Sequence, residues 1–238
     1  MGIAESVKGY LELCRISNLP SIWTNVLCAV VLATGRFSWE AYLLPALSLS
    51  CYYLAGMCLN DVCDAAYDGL HRPLRPIPSG RVSRIGARIL IFALFATGTA
   101  AILGVPFRQG SYAALPLIVL IVWYDFAHKN NPFSVLLMAS CRFLVFAVAA
   151  LATTGSMPAL VLLAGLLQFI YVVCLSLVAR YENNRTTPFP LPVIPLMLAG
   201  IPLLDGIMLA FLVQPAWLVA GGGGALLMLA GQKYFRGD

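Results

Sequence analysis

Asn60, Asp61, Asp64 and Asp68 close a long apolar run, and an arginine-rich stretch follows them, His71-Arg72-Pro73-Leu74-Arg75-Pro76-Ile77-Pro78-Ser79-Gly80-Arg81. On a helix these four residues recur every three or four positions and share one stripe. From Asp61 to Asp68 that stripe spans about 10 Å of axis. This is room for one or two hard cations side by side, each wanting several oxygen ligands. Carboxylates crowded on one stripe repel each other unless a cation sits among them. Mg2+ prefers a few carboxylates together with phosphate oxygens and water, and Arg72 and Arg75 lie just beyond, where guanidinium groups meet phosphates. The pattern points to a metal site on Asn60, Asp61, Asp64 and Asp68 that handles a diphosphate. The plainer alternative is an acidic helix end reaching headgroup water. Carboxylates bordering a membrane run are costly and usually functional, which favours the first reading.

Asn-Asp-x-x-Asp-x-x-x-Asp over 60–68, followed by Arg-Pro-x-Arg-Pro-Ile-Pro-Ser-Gly over 72–80, resembles the first motif of the UbiA superfamily of intramembrane prenyltransferases. The apolar helical layout extends the resemblance over nearly the whole chain, and it takes in the family's divergent branch from the Ebo gene cluster. The resemblance implies transfer of an isoprenoid chain from a prenyl diphosphate to an acceptor, with Mg2+ bridging acidic motifs and pyrophosphate. It also implies a second acidic motif with paired aspartates. At the matching place this chain offers Glu182, followed by Asn183 and Asn184. Glu182 is either a fifth metal ligand or an interfacial acid paired with Arg180 or Arg185. The segment Trp123-Tyr124-Asp125-Phe126-Ala127-His128-Lys129 resembles the family's tyrosine-to-lysine element. There Lys129 would contact the diphosphate as a point charge, and Tyr124 would bond the leaving oxygen or face the carbocation. An interfacial aromatic with a snorkelling lysine is the plain reading of the same pair.

The elements that must position these groups are membrane helices. Hydrophobic residues make up 61% of the 238 and charged residues 11%, under half the charged share usual in a soluble domain. The expected fold is all-α, a polytopic membrane bundle of eight helices (nine is usual in the family), forming two four-helix halves around a central cavity. Residues 1–18 read as an amphipathic lead-in on the membrane surface, 19–128 as the first half and 129–238 as the second, in a single domain. Apolar runs place helices at about 20–34, 39–68, 85–103, 113–126, 132–153 and 158–181, with 69–84 as a loop. Residues 189–213 contain Pro195, Gly200, Pro202 and Asp205-Gly206, and form one kinked helix or two short ones. A last run, 217–229, carries Gly221 to Gly224, which predicts close helix contact or local flexibility. The first apolar run follows Glu5, Lys8, Glu12 and Arg15, unlike a cleavable signal. The seven cysteines are scattered through apolar runs without metal spacing and read as small core residues.

With eight spans, thirteen Lys and Arg residues fall on one side and only Arg36 and Arg108 on the other. That asymmetry predicts a multi-pass protein with both termini and the acidic stripe in the cytoplasm. A weak duplication is also visible, since the second helix of each half ends in a polar cluster. Facing ends of this kind would frame one polar site over an apolar cavity.

Two polar residues lie deeper. Arg142 follows Ser140 and Cys141 well inside a helix and needs a partner, which a diphosphate or Glu182 would supply. Asn25 is either part of the same site or a helix–helix hydrogen bond. Asp205 falls in the second half of residues 189–213, away from the cluster, and receives no role. The combined expectation assigns Asp61, Asp64 and Lys129 to catalysis, and Asn25, Arg72, Tyr124, Lys129, Arg142 and Arg180 to substrate. Asn60, Asp61, Asp64, Asp68 and Glu182 would hold Mg2+. Partners would be a prenyl diphosphate, an acceptor and membrane lipids, with no nucleic acid. The competing reading is a membrane protein of the same fold that binds or moves a lipid or metabolite without prenylating it, favoured by the thinned second motif. A CDP-alcohol phosphotransferase needs Asp-x-x-Asp-Gly with later paired aspartates, which are absent here.

Overall fold

The computed structural model describes residues 3–127, 133–183, 189 and 191–235, and every regular element within them is helical. A short α1 (Ile3–Leu13) and a 3-10 turn (Ile16–Asn18) lead into α2 (Leu19–Thr34) and the long α3 (Trp39–His71). Then come α4 (Arg84–Leu103), α5 (Arg108–Ala127), α6 (Ser134–Thr154), α7 (Ala159–Asn183), α8 (Val193–Leu212) and α9 (Leu218–Tyr234). Seven stretches, corresponding to α2 through α8, are long and apolar enough to cross a membrane. The last helix, α9, has 17 residues. Residues 193–212 make one helix with Pro202 inside it, rather than two.

The bundle is built around α2. Its sequence, LPSIWTNVLCAVVLAT, is apolar nearly all round, the signature of a helix buried on every side. It packs against α3, α6, α7, α8 and α9. Val26, Ala29, Val30 and Val31 are fully buried there with Leu49, Phe146 and Leu209. The two halves are therefore knitted together, since α2 of the first half is enclosed largely by helices of the second. By contrast α4 and α5 are peripheral and turn Ile85, Ile89, Phe92, Leu115 and Val119 outward, as lipid-facing helices do.

The glycine run of α9 resolves into two pairs. A Cβ on Gly221 would lie 2.6 Å from the Gly206 Cα, and one on Gly224 would lie 2.9 Å from Pro202 and Thr24. Gly222 and Gly223 face open space. The run is thus a contact face at three-residue spacing, pressing α9 onto α8. Gly206→Ala should lower stability in detergent by roughly 2–3 kcal/mol, because backbone rather than a flexible side chain must yield. Gly222→Ala serves as the control. A thermal unfolding midpoint shared by the two variants would contradict this packing.

The lead-in is more than a surface appendage. Leu13 and Cys14 are buried against Cys58 and Ala65 of α3 and Ile77 and Val82 of the following loop. That loop, 72–83, is held to α1 by an ion pair between Arg81 and Glu12 at 2.5 Å. It ends where the Ser83 hydroxyl accepts from the Gly86 amide at 2.9 Å, an N-cap for α4.

Candidate active site

The acidic stripe owes its position to the length of α3. Thirty-three residues make a helix of about 50 Å, against a hydrocarbon thickness of about 30 Å. The last turns of α3 therefore run beyond the apolar layer, and the helix continues to His71 instead of ending at the motif. Asn60, Asp61 and Asp68 are buried, and Asp64 is half-buried. The stripe faces into the protein.

Two arginines close on it. Arg75 places Nη1 3.5 Å from Asp61 Oδ1 and 2.9 Å from Asp68 Oδ2, so one guanidinium is shared by two carboxylates. Arg15 brings Nη2 to 3.4 Å from Asp61 Oδ1. Arg15 joins α1 to the 3-10 turn with φ 46 and ψ 48, the left-handed conformation that side-chain-bearing residues enter at a cost of about 1–2 kcal/mol. The sharp turn carries its guanidinium from the lead-in to α3. A third helix contributes Asp125 of α5, whose Oδ1 accepts from Asn60 Nδ2 at 3.2 Å. Tyr124 of α5 lies within electrostatic range of Asp64, Asp125, Arg15 and Arg180, residues drawn from the lead-in, α3, α5 and α7. Arg180 also donates to Ser134 Oγ at 2.5 Å, tying α7 to α6.

Among the sequence-predicted site residues, Asn60, Asp61, Asp64, Asp68, Tyr124 and Arg180 are thus brought together. Arg72 is exposed where the chain leaves α3, and Arg75 reaches the carboxylates. Glu182 is half-buried near the end of α7 and makes no ion pair or hydrogen bond with the described residues. Lys129 lies outside the described residues. Arg142 and Asn25 bond to each other, Nη1 to Oδ1 at 2.9 Å, and not to the carboxylates of the α3 stripe. Arg15 and Asp125 had no site role in the sequence reading. The signal for Arg15 was weak, a basic residue just before the first span. Asp125 was visible as an acid beside Tyr124.

The donor set fits a hard divalent cation. It is made of oxygens, and Asp61 and Asp68 already bracket one positive charge, the Arg75 guanidinium, which stands where a cation would. Among the described residues no three His, Cys, Asp or Glu side chains converge tightly enough to chelate an ion by themselves. A cation here would therefore take part of its shell from water or phosphate, which is how Mg2+ is usually held. Across α3 from the stripe, a cavity of about 380 Å3 is lined by Leu59, Val62, Cys63, Arg88, Ile91 and Phe126.

Comparison with known proteins bears on the family and the fold. The chain is 33% identical over 124 residues to the digeranylgeranylglyceryl phosphate synthase of Sulfolobus acidocaldarius, covering 52% of this chain and 44% of that protein. With the enzyme of the same name from Methanoregula boonei it shares 37% over 128 residues, covering 53% and 45%. The chain thus spans less than half the length of these curated relatives. Among solved structures, one of digeranylgeranylglyceryl phosphate synthase superposes with a TM-score of 0.66 at 16% identity, over 97% of this chain and 96% of the other. A UbiA homolog from Archaeoglobus fulgidus, bound to DMAPP and Mg2+, gives 0.61 at 18% identity over 95% and 85%. At those identities the likeness is one of fold. The UbiA prenyltransferase family model matches residues 21–236, and the chain belongs to that family.

Proposed function

We propose that the protein is an integral membrane prenyltransferase that moves an isoprenoid chain from a prenyl diphosphate to an acceptor. The observation that carries this reading is the inward-facing stripe on which Asp61 and Asp68 share one cationic partner, ringed by Arg15, Tyr124 and Arg180. Asn60, Asp61, Asp64 and Asp68 would hold Mg2+, with Glu182 from α7 as a further ligand. Bound there, Mg2+ would neutralise the pyrophosphate as it leaves. Arg75 and Arg15 are placed to release their carboxylates to the metal and turn to phosphate oxygens, assisted by Arg180, Lys129 and Arg72. The allylic C–O bond breaks with its electron pair going to the diphosphate oxygen. The acceptor's nucleophile then adds to the allylic carbon and loses its proton. Fixed cations stabilise the charge that grows on the leaving oxygen more than the ground state. Tyr124 faces the same centre and would screen the cation from water. The concentration of Lys and Arg on one side of the membrane supports a site that opens to the cytoplasm.

The names of the curated relatives favour an acceptor of the glyceryl phosphate class. Purified protein given geranylgeranyl diphosphate, Mg2+ and a glyceryl phosphate bearing one geranylgeranyl group should release pyrophosphate and form a doubly prenylated lipid, read by mass spectrometry. Pyrophosphate release with other acceptors only would retain the reaction and change the acceptor. No release with any donor would transfer the protein to the lipid-binding reading.

A further inference from the structure

A second polar cluster lies in the apolar interior, where α2, α6, α7 and α8 meet. Asp205 of α8 is 1% exposed, and Asn25 and Gln168 are fully buried. Asp205 Oδ2 accepts from Asn25 Nδ2 at 2.7 Å, and Oδ1 accepts from Gln168 Nε2 at 2.9 Å. Thr24, beside Asn25 on α2, donates its hydroxyl to the Ser21 carbonyl at 3.4 Å. The other end of the Asn25 amide, Oδ1, accepts from Arg142 Nη1 at 2.9 Å, and that nitrogen also donates to Ser21 Oγ at 3.2 Å. An acid and a base, 63 residues apart in sequence, are thereby joined through one amide whose two ends are each committed. A carboxylate fixes which end of Asn25 donates, and a guanidinium fixes which end accepts.

The helix that carries Arg142, α6, also packs against α3, which carries the stripe. Tyr53 of α3 lies within electrostatic range of both Arg142 and Arg15. Tyr53 lies two turns before Asn60 on the same face of α3, and Arg15 pairs with Asp61. Nη1 of Arg142 is fully engaged, whereas Nε and Nη2 donate to none of the described residues. A half-buried guanidinium inside an apolar bundle is costly without a counter-charge, and Asp205 is the carboxylate that supplies one.

Resting on the prenyltransferase reading, we propose that Asp205 is a positioning residue for Arg142, acting through Asn25, so that Arg142 offers its remaining donors to the diphosphate from beneath the acidic stripe. A mere helix-to-helix polar contact would stabilise the bundle but would have no effect on turnover once the protein is folded. The test is a double-mutant cycle on full-length protein in detergent, with turnover, KM for geranylgeranyl diphosphate and thermal midpoint all recorded. Asp205→Asn keeps the shape and removes the charge, and Arg142→Gln removes the guanidinium. Each should lower kcat by about tenfold with KM little changed, because a misplaced group weakens the transition state most. The double variant should be no slower than Arg142→Gln alone. Losses that multiply to about a hundredfold, or an Asp205→Asn enzyme with normal kcat, would overturn the proposal. Should Asp205→Asn fail to fold, Asn25→Ala cuts the link while keeping both charges and must show the same non-additivity. Absence of wild-type turnover would sink the prenyltransferase reading separately. The cycle is then read on affinity for inorganic pyrophosphate with Mg2+, where additive losses again overturn the positioning role and non-additive ones sustain it.

Discussion

Arg75→Gln should cost roughly 3–5 kcal/mol of stability in the presence of a chelator, the penalty for leaving a buried charge without its partner. Asp61 and Asp68 are both buried and share the Arg75 guanidinium at 3.5 and 2.9 Å. Without it, among the described residues, Asp61 keeps Arg15 at 3.4 Å, and Asp68 loses its close contact. The informative part is the response to metal. If the stripe is built for a cation, Mg2+ should restore most of the lost stability, since a ligand that binds only the folded state raises it by mass action. Wild type should gain less, because its stripe already holds a positive charge. Thermal unfolding followed by tryptophan fluorescence, with chelator and with millimolar Mg2+, reads both effects. An Arg75→Gln protein that melts with wild type, or that ignores Mg2+, would contradict the assignment.

Asp64→Asn should reduce turnover by about a hundredfold or more, the scale of one preorganised electrostatic contact at a reacting centre. Asp64 lies midway along the stripe, one turn from Asn60 and one from Asp68, and acts on the Tyr124 hydroxyl from α5. The substitution keeps shape and much of the hydrogen bonding while removing one charge. Where that charge acts chiefly in the transition state, kcat and kcat/KM fall together and KM moves little. Steady-state assays across several prenyl diphosphates check this. Undiminished turnover would remove Asp64 from the site.

How far these residues could be found from the chain alone depended on sequence distance. Three-and-four spacing placed Asn60, Asp61, Asp64 and Asp68 on one stripe, and α3 carries them so. Apolar runs located the helices, with small errors at the ends. Helix α5 begins at Arg108, five residues before its apolar run, because the polar turn 108–111 also adopts helical geometry. Periodicity could not choose among the arginines after the motif. The chain leaves α3 at Arg72 with φ −140, and only after the loop turns does a guanidinium, that of Arg75, face back to the carboxylates. The remaining partners are remote: Arg15 is 46 residues from Asp61, Asn60 is 65 from Asp125, and Asn25 is 180 from Asp205. Such pairings arise when helices pack, and local patterns carry no trace of them. Asp205 therefore looked isolated in sequence although it is among the best-partnered acids in the bundle.

The central claim is that this stripe holds a divalent cation on a diphosphate. The most direct measurement is equilibrium binding of a non-reactive prenyl thiodiphosphate to wild type and to Asp64→Asn, with Mg2+ and with chelator. Wild type should bind tightly only with Mg2+, and Asp64→Asn should lose most of that metal-dependent affinity. Equal affinity with and without Mg2+ in wild type would contradict the account.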